Sequence, residues 1–210
     1  TAPVLQPLDN VTTLTSDNTS LSYTFSSTEG GTITIGGHCS EVSFQVNGSD
    51  NNTSEADNMT VSFAALADGT YSDCTITVTD SAGNTQTISV NTFTIDTVKP
   101  DLVQVTAVTT PTNDTTPGYA FSSNEAGTIS YGGCSQGGTS ADNGTNSISF
   151  GTLSEGSYSC TITVTDSAGN ASSTLNVNTF VVDTTAPAVA SISPTDSQTG
   201  VSVSENISVT

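Results

Sequence analysis

Two separate stretches of this chain are the same eleven residues: Cys74–Asn84 and Cys160–Asn170 both read CTITVTDSAGN. The match extends in both directions. Upstream, YTFSSTEGGTITIGG (Tyr23–Gly37) parallels YAFSSNEAGTISYGG (Tyr119–Gly133). Downstream, VNTFTID (Val90–Asp96) parallels VNTFVVD (Val177–Asp183). A repeat of this length makes the chain build one supersecondary unit twice. Asp96-Thr-Val-Lys-Pro100 and Asp183-Thr-Thr-Ala-Pro187 close the two units, and Thr1-Ala2-Pro3 reads as the tail of the same closing segment. The expected organisation is a linker end at 1–2, a domain at 3–96, a linker at 97–100, a domain at 101–183 and a linker at 184–187. Residues 188–210 then start a third module or supply a donated strand. On this reading the array continues in both directions.

Each unit reads as β-structure throughout. Thr and Val favour strands, while Gly, Asn, Asp and Ser favour turns. Turn signals recur about every 8–12 residues, the spacing of a sandwich. The first unit is expected to place strands near Val4–Gln6, Leu21–Phe25, Thr32–Ile35, Val42–Val46, Met59–Phe63, Tyr71–Thr79 and Gln86–Ile95. The second is expected to place them near Leu102–Val108, Tyr119–Phe121, Thr128–Tyr131, Ser147–Phe150, Tyr158–Thr165 and Ser173–Val182, with its fourth strand short or missing. Tyr158, Cys160, Ile162 and Val164 share one parity, which marks a buried face. Asp73 is an extra residue between Tyr71 and Cys74 and suggests a bulge. The last strands break parity between Val90 and Phe93, and again between Val177 and Phe180. A bulge near Asn91 and Asn178, or a change of sheet there, accounts for both.

The four cysteines fall two per unit at matched places. Equivalent placement favours Cys39–Cys74 and Cys134–Cys160 over bridges between units. Loops of this size contribute roughly 3–4 kcal/mol in the chain-entropy model. With no CxxC and one His, zinc is disfavoured. Disulfides place the chain in an oxidising compartment. His38, beside Cys39, has no counterpart in the second unit and reads as a loop residue.

The net charge is −19, with Lys99 the only Lys and no Arg. Such a chain does not neutralise phosphate backbones, which excludes nucleic acid as a partner. An anionic membrane surface repels it as well. The acidity has two readings: a soluble, self-repelling surface, or carboxylates that bind hard cations such as Ca²⁺.

GTYSDC and GSYSC, after Leu66-Ala-Asp and Leu153-Ser-Glu, resemble the D-x-G-x-Y-x-C strand signature of Ig-like folds, with Tyr158 where a tyrosine corner puts its Tyr. With TVTDSAGN and the DTTAP linker, residues 1–187 resemble bacterial Ig-like repeat domains of large secreted adhesins, biofilm-associated proteins and surface fibres. Ser191–Thr210 is similar to the opening of another bacterial Ig-like repeat class. The resemblance implies an all-β fold: tandem Ig-like sandwiches of about seven antiparallel strands each, in Greek-key order, each with one internal disulfide. The cysteine after the third strand departs from antibody domains, and the core Trp is absent. In Ig-like topology the third and sixth strands are neighbours, which suits the pairing within units.

The candidate chemistry lies in repeated carboxylates. Asp80 and Asp166, with Asn84 and Asn170, sit in the TDSAGN turns, and Asp96 and Asp183 end each unit. The resemblance implies Ca²⁺ at domain junctions, held by linker Asp residues. The competing reading is turn formation alone, because Asp and Asn bond their own backbone. Asp101, Asp114 and Glu125 are further junction candidates. An insertion between Cys39 and Met59 makes a second candidate, a binding loop at Ser49, Asp50, Asn51, Asn52 and Glu55 for carbohydrate or protein.

No catalytic constellation appears, so the expected function is non-catalytic. It is a cell-surface stalk or self-assembling extracellular filament with an adhesive or biofilm role. The expected partners are copies of itself or adjoining Ig-like modules. VSVSENISVT (201–210) alternates enough to complete a neighbour's sheet by strand addition. The alternative function is a module that binds carbohydrate or protein through sandwich loops.

Overall fold

A computed structural model describes residues 1–47, 58–134 and 137–188, together with the backbone of the short strands at 53–54, 192–193 and 208–209. The expected binding-loop residues Ser49, Asp50, Asn51, Asn52 and Glu55 lie outside the described residues, as does most of 201–210.

Module 1 contains β1 (Leu5–Asp9), β2 (Leu14–Thr15), β3 (Ser22–Ser27), β4 (Gly31–Gly36), β5 (Phe44–Val46), β6 (Thr53–Ser54), β7 (Asn58–Phe63), β8 (Gly69–Tyr71), β9 (Thr75–Thr79), β10 (Thr85–Ser89) and β11 (Phe93–Ile95). Module 2 contains β12 (Leu102–Thr106), β13 (Gly118–Ser123), β14 (Gly127–Gly132), β15 (Ser140–Ala141), β16 (Gly144–Ser149), β17 (Gly156–Tyr158), β18 (Thr161–Thr165), β19 (Leu175–Asn176) and β20 (Phe180–Val182). A short ladder of β21 (Ile192–Ser193) on β22 (Ser208–Val209) follows. The fold is all-β and Ig-like, and no described helix is long and apolar enough to cross a membrane.

In module 1 a sheet ordered β1-β3-β7-β5 faces one ordered β10-β9-β4-β6. The chain leaves β3 for β4 in the opposite sheet, returns at β5, crosses again to β6 and comes back at β7. Alternation explains the burial: Tyr23, Phe25, Val61, Phe63, Ile76 and Val78 point inward and are buried, with Thr and Ser outward between them. The equivalent core of module 2 is built on Tyr119, Phe121, Ile148, Phe150, Ile162 and Val164. Asn146 takes the core position of Met59, and its side chain donates to the carbonyls of Asp142 and Gly144. Module 2 pairs only β12-β13-β16 on this side, and no described strand takes the place of β5.

Each module holds one disulfide, Cys39–Cys74 (Cα–Cα 5.3 Å) and Cys134–Cys160 (5.4 Å). β4 and β9 are neighbours, as are β14 and β18, which brings each pair of cysteines together.

The stretches expected as single strands at Tyr71–Thr79 and Tyr158–Thr165 are each two strands. β9 pairs β10 and β4, whereas β8 pairs β11, which also carries β2 in parallel. The ladder breaks where the last strands change parity. In module 1 Thr75 faces Ser89 and, beyond the gap, Tyr71 faces Phe93. Asp73 on one strand offsets the extra residue on the other, so the register is kept. Module 2 has no residue equivalent to Asp73. Thr161 faces Asn176 and Tyr158 faces Phe180, so its register slips by one. Asn91 fills the gap from its side chain: its carbonyl accepts from Val11 N–H and its amide donates to Val11 C=O. Asn178 makes the same two bonds to Val108.

Candidate cation site at the module boundary

The two TDSAGN turns form for a local reason. The Asp80 carboxylate accepts from the Ala82 and Asn84 N–H groups, both at 2.8 Å, and from the Asn84 side chain at 2.8 Å. Asp166 accepts from Gly169 N–H, Asn170 N–H and the Asn170 side chain at 2.8–2.9 Å. This is the Asx chemistry that favours Asp in turns. The Asn84 side chain and N–H groups hold Asp80 below the ordinary carboxylate range. For Asp166, burial pushes the pKa up, but its bonds from Asn170 and the backbone outweigh that and leave it lowered.

The second turn also reaches across the module boundary. The buried Asn170 side chain donates to the Asp96 carbonyl at 2.8 Å. Asp96, at the end of β11, is anchored by its own N–H to Thr15 C=O, and its carboxylate accepts from Val98 N–H. Glu125 enters from the β13–β14 turn. The buried Ser123 hydroxyl fixes that turn by donating to Glu125 C=O at 2.6 Å. Carboxylate oxygens of Asp96, Glu125 and Asp166 all lie within 4.8 Å of one another. Glu125 Oε2 is shut off from solvent and has no hydrogen-bond partner. Burial pushes the Glu125 carboxyl up, and the charges of Asp96 and Asp166 push it further.

Of the residues expected at a junction site, the structure therefore brings together Asp96, Asp166 and Asn170. Glu125, ranked by sequence among the lesser candidates, completes the cluster. Its signal is the repeated Ser-x-Glu after the second long strand, Ser27–Glu29 and Ser123–Glu125. Asp80, Asn84 and Glu29 form the equivalent pole of module 1. There Thr1 donates to Glu29 at 2.6 Å, and Asn84 donates to Thr1 C=O at 3.4 Å. Asp183 accepts from Thr185 N–H, and no described acid joins it. Asp101 bonds through its backbone to Asn124, and Asp114 accepts from Thr116, so both stay outside the cluster.

Tyr71 and Tyr158 donate to the carbonyls of Ala67 and Ser154, four residues upstream, as tyrosine-corner residues do. Two disulfide-stapled sandwiches joined end to end define a tandem Ig-like array. The family described as bacterial Ig-like domain matches residues 8–97 and again 105–184, and the chain belongs to it. No curated protein is similar enough to match. Among solved structures, fibronectin(III)-like modules of Clostridium thermocellum CbhA are 11% identical, with 85% of this chain and 94% of that chain covered and a TM-score of 0.43. The D00-D0 domain of intimin is 14% identical, with 86% and 99% covered and a TM-score of 0.37. Dimeric latent PorU of Porphyromonas gingivalis is 14% identical, with 87% of this chain but 20% of that chain covered and a TM-score of 0.27.

Proposed function

We propose that this chain is a segment of a non-catalytic extracellular array, a surface stalk or filament with an adhesive role, whose module boundary is clamped by Ca²⁺. The observation that carries the reading is the unpartnered, solvent-shielded Oε2 of Glu125, on a carboxylate that comes within 4.8 Å of those of Asp96 and Asp166. Three carboxylates this close repel one another unless a cation or a proton intervenes. The donors are all oxygen, which suits a hard cation such as Ca²⁺ rather than zinc. Asp96 belongs to module 1, while Glu125 and Asp166 belong to module 2. A bound ion would tie the modules together and supply positive charge at their boundary. The disulfides support an extracellular setting.

The test is calorimetric titration of chelator-treated protein with Ca²⁺, with small-angle scattering alongside. The expected result is one site on the 210-residue chain, lost in Glu125→Gln, and a narrower spread of inter-module angles on binding. Absence of a binding isotherm at neutral pH, with scattering unchanged by chelator, refutes the clamp.

A further inference from the structure

Modules 1 and 2 share their cores, but one outer face differs. Their registers align Tyr23 opposite Val61 with Tyr119 opposite Ile148. The outward residues of the β1-β3-β7 sheet then correspond one to one with those of β12-β13-β16. Gln6 becomes Val103, Asp9 becomes Thr106, Ser22 becomes Gly118 and Thr24 becomes Ala120. On the third strand Asn58 becomes Thr145, so module 2 has lost the carboxylate and both amides from this face and has two smaller side chains on its middle strand. In module 1 the Thr24 and Thr60 hydroxyls lie 3.2 Å apart and roof the face. In module 2 Ala120 and Ser147 form no such bridge. A shallow trough of about 410 Å³ opens over Thr106, Gly118, Ala120, Ser147 and Ser149. Val103 stands beside it, 56% exposed.

We propose that this face of module 2 is a self-association surface that takes the same face of a second copy of the chain. Charge selects the occupant. Each chain carries −19, so two copies repel wherever carboxylates meet. The outward positions of this sheet, with Ala120 recessed at 9% exposure as the floor of the trough between Thr106, Gly118, Ser147 and Ser149, carry none. Small central residues let two sheets approach closely, and the contact is isologous about a twofold axis. Three strands of about six residues cover roughly 300 Å² per copy. A standard interface buries about 800 Å² per partner, so a single contact is weak and gains strength only when many modules act together. The proposed array supplies that multiplicity, but the contact is measured on the 210-residue chain and stands apart from the calcium clamp.

Disulfide trapping in chelator tests it. Ala120→Cys and Ser147→Cys are compared with the equivalent Thr24→Cys and Thr60→Cys of module 1, each under mild oxidation at up to about 1 mM, the weak end of specific association. Trapped dimers are expected at Ala120→Cys or Ser147→Cys at least fivefold above the module 1 controls. They should increase with salt as repulsion is screened and disappear when Val103→Asp is added. Equal trapping in both modules, no trapping in module 2, or trapping indifferent to Val103→Asp overturns the proposal. Melting of each variant, compared with the parent, shows that both modules remain folded.

Discussion

The Asn170 side chain is shared between the modules: its amide donates to the Asp166 carboxylate of its own turn and to the Asp96 carbonyl of the preceding module, both at 2.8 Å. One buried amide thus supports the turn and the boundary together. Asn170→Ala removes both bonds and is expected to lower the stability of module 2 by about 1–3 kcal/mol, the cost of leaving buried partners unsatisfied. It should also widen the inter-module angle distribution seen by scattering. Asn84→Ala removes the equivalent turn bond in module 1. It should cost module 1 less than Asn170→Ala costs module 2, because Asn84 is only half-buried and water can reach Asp80, and leave the boundary angle unchanged.

Glu125 is expected to make the boundary respond to pH as well as to the proposed cation. Its folded pKa is raised above the ordinary value of 4.5, by burial first and then by Asp96 and Asp166. The neutral form is therefore favoured by folding. In metal-free protein the contribution of this group is greatest at and below the unfolded pKa, and it is lost as pH rises through the folded value. Glu125→Gln mimics the neutral form. Its metal-free melting temperature should match the parent at acid pH and exceed it at pH 7. Ca²⁺ at 100 times its Kd adds about 2.7 kcal/mol to the parent, and Glu125→Gln should lose most of that gain. Parallel melting curves for the two proteins across pH 4–8 would remove Glu125 from the boundary electrostatics.

In both modules an asparagine side chain stands in for missing backbone partners. Asn178 bonds both the N–H and the C=O of the buried Val108. Asn178→Ala orphans two backbone groups and should destabilise module 2 by about 2–3 kcal/mol in urea melts. Tyr158→Phe removes one neutral bond to Ser154 C=O, where water can substitute, and should cost about 1 kcal/mol. A larger loss for Tyr158→Phe than for Asn178→Ala contradicts this ranking.

Much of this fold is legible because period-two alternation and the repeated turns are local signals. Tyr119, Phe121, Ile162 and Val164 reveal their faces without any tertiary information. The cysteine pairs follow from matched placement. The split of Tyr71–Thr79 into two strands was not visible, because the ladder break depends on which residues lie across it. Asp73 illustrates the limit: its place in the sequence signals an extra residue, but only the pairing of Tyr71 with Phe93 shows that it restores the register. Asp96 and Asp166 could be named as junction acids because they end a unit and cap a turn. The place of Glu125 in the cluster depends on the approach of two modules, with Glu125 29 positions from Asp96 and 41 from Asp166 in the sequence.

The His38 ring Nδ1 lies 3.0 Å from both Asp73 oxygens, and His38 N–H donates to the same carboxylate at 3.2 Å. The pair flanks the Cys39–Cys74 bridge, one residue before each cysteine. The hydrogen bond and then the charge of Asp73 raise the His38 pKa, with a smaller push from Glu41. Asp73 is lowered, first by its bond from the His38 side chain and then by that from the His38 backbone. The raised His contributes stability that is fully present below its unfolded pKa, about 6.5, and is lost as pH rises through the folded value. The lowered Asp contributes stability present above its unfolded pKa, about 3.9, and lost as pH falls through the folded one. Module 1 should therefore gain from this pair between about pH 4 and 6.5, while module 2, which has no His, should not. Both side chains are exposed, so the effect is small and salt-sensitive. Titration of the single imidazole by NMR gives the direct readout. Its pKa should lie above 6.5 in the parent and return towards that value in Asp73→Asn. An unshifted imidazole in the parent would show that the pair does not form in solution.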